Sequence, residues 1–170
     1  MNMNHLKFLP EVVNKGMKFE ILTQPIEPED YYLALQRIWI RIEELAKLDG
    51  YDIFKVQPEL LADFRRMLVL AEDQAGNILT GISIPMLDLD FVIAKEKEYQ
   101  GSWKKRGGIG AFMMLARKWD RIEPQVAKYE GNLIKAIRKD TRKEGILDDI
   151  RDLRGYLMLV EAELLSRASH

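Results

Sequence analysis

Cysteine is absent from the 170 residues, which excludes disulfides, thiolate metal sites and cysteine nucleophiles. Histidine is nearly absent: His5 and His170 lie near opposite ends, read as solvent-exposed terminal residues, and form no cluster for a histidine-ligated metal. No stretch approaches the roughly 18 to 20 consecutive apolar residues that cross a bilayer, so no membrane span is expected. The opening segment MNMNHLKFLPEVVNKGMKFEI has a short apolar stretch broken by Pro10, Glu11 and Asn14, so no export signal is expected and a cytoplasmic location is. Excess charge is lacking too. Lysine plus arginine number 26 against 27 for aspartate plus glutamate, a net charge of −1. That balance argues against coating nucleic acid through bulk charge but allows a local basic patch, leaving direct DNA binding open.

What the chain does have is length for one substantial core, residues 1–170 as a single domain, and helical periodicity. Residues 1 to about 27 read as an irregular arm with at most a short turn of helix. Pro25, Pro28, Glu29 and Asp30 then announce a helix through YYLALQRIWIRIEELAKL, striped by Leu35, Ile38, Ile42 and Leu45 and stopped at Asp49–Gly50. A second helix is expected over 58–72, with Leu60, Phe64, Leu68 and Ala71 on one face, and DQAGNILTG is a loop. Ile82 and Ile84 would suit a brief strand, but it has no partner, and a third helix over about 87–99 after Pro85 is the stronger expectation. A fourth runs from about Gly108 to Ile122, and Pro124 begins a continuation or a kinked neighbour toward Arg138. After the solvated connector RKDTRKEG comes the last helix, from Glu144 or Ile146 to about Leu165. The expected architecture is all-α: a bundle of about five main helices with a less regular N-terminal arm.

Two acidic pairs carry the first functional expectation. In the last helix Ile146, Ile150, Leu153, Leu157, Val160 and Leu164 form an apolar stripe flanked by Asp149 and Asp152, with Tyr156 on the same edge. In the preceding helix Ile109, Met113 and Ala116 read as an inward side continued by Asp120, with Glu123 one turn on. An aspartate continuing an apolar face costs stability unless it is exposed, paired or bound to a cation. If the helices pack together, Asp120, Glu123, Asp149 and Asp152 could converge on magnesium and, through it, on a polyphosphate. The competing reading is a salt-bridge network with Arg117, Lys118, Arg121, Arg151 and Arg154.

The loop YQGSWKKRGGIGAF carries the second. Lys104, Lys105 and Arg106 supply positive charge, Gly107, Gly108 and Gly110 permit close backbone approach, and the following helix start could face a phosphate. No Walker or dinucleotide-binding pattern is present. Trp103 could stack on a base or cap the core, and Lys95 and Tyr99, four residues apart, could face the loop, with Glu98 joining the acids. Trp39, Trp119 and the Met113–Met114 pair read as packing residues.

The stretches AKEKEYQGSW, KKRGGIGAFMMLARKWDRIE and ILDDIRDLRGYLMLVEAEL, within 87–165, resemble the nucleotide modification-associated domain 1 family of bacteria and bacteriophages. The resemblance implies a role in phage systems that make or handle modified DNA nucleotides, in a bacterial or phage-infected cell. It points to Lys95, Tyr99, Ser102 and Trp103, then Arg106, Gly107, Gly108, Arg117, Lys118, Asp120 and Arg121, and finally Asp149, Arg151, Asp152 and Tyr156. More distantly, Asp120-x-x-Glu123 and Asp149-x-x-Asp152 are similar to the ExxE and ExxD pairs of all-helical MazG- and dUTPase-type nucleoside triphosphate pyrophosphatases, with aspartate replacing the first glutamate of each pair.

The functional expectation is therefore magnesium-dependent nucleotide binding, extending to pyrophosphate-releasing hydrolysis of a modified or non-standard deoxynucleoside triphosphate. Asp120, Glu123, Asp149 and Asp152 would hold the metal and supply the catalytic base. Lys95, Tyr99, Trp103, Lys104, Lys105, Arg106, Arg117 and Tyr156 would contact the nucleotide. The alternative is a noncatalytic helical adaptor for a nucleotide-modification enzyme or a homo-oligomer, using the YYLALQRIWIRI face with Trp39 exposed.

Overall fold

The computed structural model describes residues 2–17, 26–76 and 83–169. Seven α-helices and no strand occur among them. They are α1 (Leu9–Met17), α2 (Tyr31–Leu48), α3 (Pro58–Gln74), α4 (Ile84–Tyr99), α5 (Gly107–Ala127), α6 (Leu133–Lys139) and α7 (Ile146–Ala168). Five of these have 16 residues or more, while α1 has 9 and α6 has 7. No described helix is long and apolar enough to cross a membrane.

The central element is α7, which packs against α1, α3, α4 and α5. Its stripe of Ile146, Ile150, Leu153, Leu157 and Val160 is buried as its spacing predicts. Against it lies an aromatic centre in which Trp119 of α5, Trp39 of α2 and Phe64 of α3 meet with ring centroids 5.7–6.0 Å apart. Trp39 is buried, so it cannot anchor the exposed partner surface considered from the sequence.

Four expectations need correction. The N-terminal segment is a packed element: a 3-10 turn over Asn4–Phe8 leads into α1, and both lie against α7. Leu9, Val12 and Val13 fill the core, and His5 is fully buried instead of solvent-exposed. Second, the expected third helix begins at Ile84, ahead of residue 87, because Ser83 caps α4 through the Met86 amide and Pro85 fits its first turn; the weaker strand alternative thus fails at Ile84, and Ile82 lies outside the described residues.

Third, α5 runs through Pro124 and breaks later, where Glu130 (φ 56°) and Gly131 (φ 81°) turn left-handed before α6. Pro124 cannot donate to the Asp120 carbonyl, so the helix gives up one intrahelical bond there without ending. Fourth, the inward face of α5 is Phe112, Leu115, Ala116, Trp119, Ile122 and Val126, whereas Ile109 and Met113 are each 57% exposed. That rotation turns Asp120 to solvent.

Candidate functional site

The sequence-predicted acids separate on the folded chain. Asp149 is buried beneath Arg121, whose Nε donates to Oδ1 at 2.9 Å, with Lys118 3.8 Å away. Lys118 lies closer to Asp152, at 2.9 Å. Asp120 is exposed, and Glu123 lies near enough to Tyr32 of α2 to help raise that phenol's pKa, behind the larger effect of burial. Among the described residues no three or more histidine, aspartate or glutamate side chains are grouped to hold a metal. The four carboxylates therefore do not fit the shared magnesium cage expected from their spacing. The phase of α5 and the cations Lys118 and Arg121 are the physical reasons, and the salt-bridge reading describes Asp149 and Asp152.

The basic loop departs from expectation as well. Lys104 Nζ donates to Glu163 at 2.7 Å and to His5 Nδ1 at 3.3 Å, so its charge is engaged inside the fold. Lys105, Arg106 and Arg117 are exposed and outside the lining of the cavity described next. Gly108 is required by packing: a Cβ there would collide with the Asp52 side chain, which itself accepts from the Phe54 amide. Close approach of a phosphate is not needed to explain that glycine.

A different set converges. A cavity of about 330 Å3 opens between α4, α5 and α7 beside the 3-10 turn Ser102–Lys104. Its volume is near the lower end for small-molecule sites, ~300–1,000 Å3. From α4 come Phe91, Val92, Lys95, Glu96 and Tyr99; the turn adds Ser102 and Trp103; α5 adds Met114; and α7 adds Asp152, Gly155, Tyr156 and Leu159. Lys95, Tyr99, Trp103 and Tyr156, all expected at a nucleotide, thus share one opening with Asp152. Met114, expected as core filler, faces the cavity instead.

The geometry follows from helix periodicity. Phe91, Lys95 and Tyr99 recur every four residues, and Lys95 Nζ stands 5.7 Å and 5.5 Å from the Phe91 and Tyr99 ring centroids. Asp152, Gly155, Tyr156 and Leu159 occupy one face of α7. Without a side chain, Gly155 lets Val92 and Phe91 of α4 approach; an added Cβ would stand 3.3 Å from Val92 Cγ2. Tyr156 is half-buried, and burial followed by the nearby Asp152 charge pushes its pKa above the ordinary phenol value.

The cavity floor is Glu96, whose side chain is 3% exposed. Its Oε2 lies 2.6 Å from His5 Nε2 and accepts from Trp103 Nε1 at 3.1 Å. His5 Nδ1 stands 3.3 Å from Lys104 Nζ and 3.6 Å from Glu163 Oε2, while Nε2 is directed at Glu96. Glu163 completes the cluster with Lys104 and Arg167. Burial opposes its ionisation, but the Lys104 and Arg167 hydrogen bonds win and hold its pKa below the usual value.

Neither Glu96 nor His5 was singled out from the sequence. α4 is apolar on several sides, so its pattern does not announce which edge is inward. The available signal was the four-residue series Ile84, Asp88, Val92 and Glu96, all buried.

Two further ion clusters brace α7 away from the cavity. Arg154 forks onto Asp88 (Nε to Oδ2 2.6 Å, Nη2 to Oδ1 3.1 Å) and pairs with Glu72 at 2.6 Å. Burial raises the Asp88 pKa despite the Arg154 attraction. Arg65 forks onto Glu161 at 2.6 and 3.0 Å and donates to the Val12 carbonyl. Burial likewise raises the Glu161 pKa, with Arg65 opposing.

Compared with known proteins, the chain matches no family model, no curated protein and no solved structure.

Proposed function

We propose that the protein binds a nucleotide in the cavity between α4, α5 and α7. The nucleoside lies among Phe91, Tyr99, Trp103 and Tyr156, and the phosphate turns toward Lys95 and toward Lys118 at the Asp152 rim. The observation that carries this reading is the meeting of aromatic walls and an exposed lysine in one opening, built from three separate stretches of chain. Aromatic faces accept any base by stacking, and an ammonium at the mouth suits a phosphate. The reading is one of binding, since no carboxylate cage is grouped among the described residues. Magnesium, and pyrophosphate release from a modified or non-standard deoxynucleoside triphosphate, remain proposals to be measured alongside it.

The test is calorimetric titration with the four standard deoxynucleoside mono- and triphosphates, each with and without magnesium, with pyrophosphate release followed in parallel. Saturable binding to the native protein is expected. Tyr156→Ala should weaken it roughly 5- to 150-fold, the range for losing one base-stacking aromatic. Lys95→Ala should weaken triphosphate binding more than nucleoside binding. Absence of heat with every nucleotide, in either buffer, contradicts the proposal.

A further inference from the structure

The floor of the cavity holds an acceptor that the fold leaves unused. Both donors that reach Glu96, His5 Nε2 and Trp103 Nε1, are directed to Oε2. No hydrogen bond reaches Oε1 among the described residues, although the whole residue is only 2% exposed. Glu96 is one of the residues that line the cavity. A nearly buried carboxylate with one oxygen unmatched is costly unless a donor meets it. The same cavity is lined by Phe91, Tyr99, Trp103 and Tyr156, whose rings suit a flat partner.

We infer that Glu96 is the base-reading residue of this pocket: its Oε1 accepts an N–H from the edge of a planar heterocycle held between the aromatic walls. The inference rests on the nucleotide reading and adds to it a ligand class, nucleobases presenting a ring N–H or an exocyclic amino group. His5 and Trp103 act as positioning residues, because two donors on Oε2 fix the carboxylate plane and aim Oε1 outward. The N-terminal segment thereby contributes to recognition without touching the ligand.

This arrangement makes Glu96→Gln an inversion. The amide oxygen must stay with the His5 and Trp103 donors, so the amide NH2 faces the cavity and an acceptor becomes a donor. The experiment titrates native protein and Glu96→Gln with the four standard deoxynucleoside monophosphates and with the unsubstituted-purine deoxynucleotide, whose base has no N–H at all.

Native protein should bind at least one standard nucleotide roughly 10- to 100-fold more tightly than the unsubstituted purine, and Glu96→Gln should abolish or reverse that preference. Equal native affinity for the unsubstituted purine and all four standard nucleotides overturns the inference, whatever the variant does. Unchanged preference in a folded Glu96→Gln overturns it too while leaving nucleotide binding intact. Failure of native protein to bind any nucleotide overturns both readings.

Discussion

Two acidic regions border α7 in different circumstances. Near its start, Asp149 and Asp152 meet Arg121 and Lys118 from the neighbouring helix, and their charge is answered locally. Farther along, α7 borders a cavity whose floor carboxylate, Glu96 from α4, is held by two donors on one oxygen and none on the other. The first region has the denser acidic sequence; Asp152, paired with Lys118, reaches the cavity rim, while Asp149 stays outside its lining. Asp149 also keeps a buried oxygen, Oδ2, without a hydrogen-bond partner, so what sets Glu96 apart is that it lines the cavity while its donors are gathered on Oε2.

The comparison can be broken at several points. The largest effect should come from the sealed pairs. Arg154→Met strands Asp88 in the interior and removes a partner of Glu72, and should cost ~3–5 kcal/mol in denaturant unfolding. Adding Asp88→Leu and Glu72→Leu should recover much of that loss, since removing a whole buried ion cluster is far less harmful than removing one member.

Next comes Asp149→Asn, which weakens the pair with Arg121. A loss of about 1–3 kcal/mol in stability is expected, with nucleotide affinity within about twofold of native. A large loss of affinity with little loss of stability would restore the acidic end as the site.

A smaller effect concerns acid. Asp140 is held at a pKa of about 2, below its usual 3.8, first by the Arg142 hydrogen bond; burial opposes this, and the Ile146 and Arg142 amides assist. Because the folded value is the lower one, the stabilisation is complete above about pH 3.8 and is lost as pH falls through about 2. Its size should be on the order of 1 kcal/mol, discounted for the solvent-screened Arg142 partner. Asp140→Asn should remove this part of the acid dependence in pH-resolved unfolding.

Least of all should follow from Lys105→Ala or Arg106→Ala, both exposed and outside the cavity: stability within ~0.5 kcal/mol and affinity nearly unchanged.

The helical class and the faces of α3 and α7 were legible because their apolar residues recur at three- and four-residue intervals. The phase of α5 was misread from Ile109 and Met113, a short series. The longer run of Phe112, Leu115, Trp119, Ile122 and Val126 outweighs it and sends Asp120 outward. The cavity was legible in part. Lys95, Tyr99, Trp103 and Tyr156 stand out by type, but Glu96 and His5 lie 91 positions apart and meet only through tertiary packing. Local periodicity cannot show that a buried histidine spends its proton on a particular carboxylate.

The most direct measurement is on the indole N–H of Trp103, which donates to Glu96 in the cavity lining, whereas Trp39 and Trp119 sit in the aromatic centre and outside that lining. In amide-correlation NMR spectra, with the Trp103 signal assigned by its loss in Trp103→Phe, added deoxynucleotide should shift that indole and leave the other two in place. Shifts at Trp39 or Trp119 with Trp103 unmoved, or none at all at saturating nucleotide, would contradict the account.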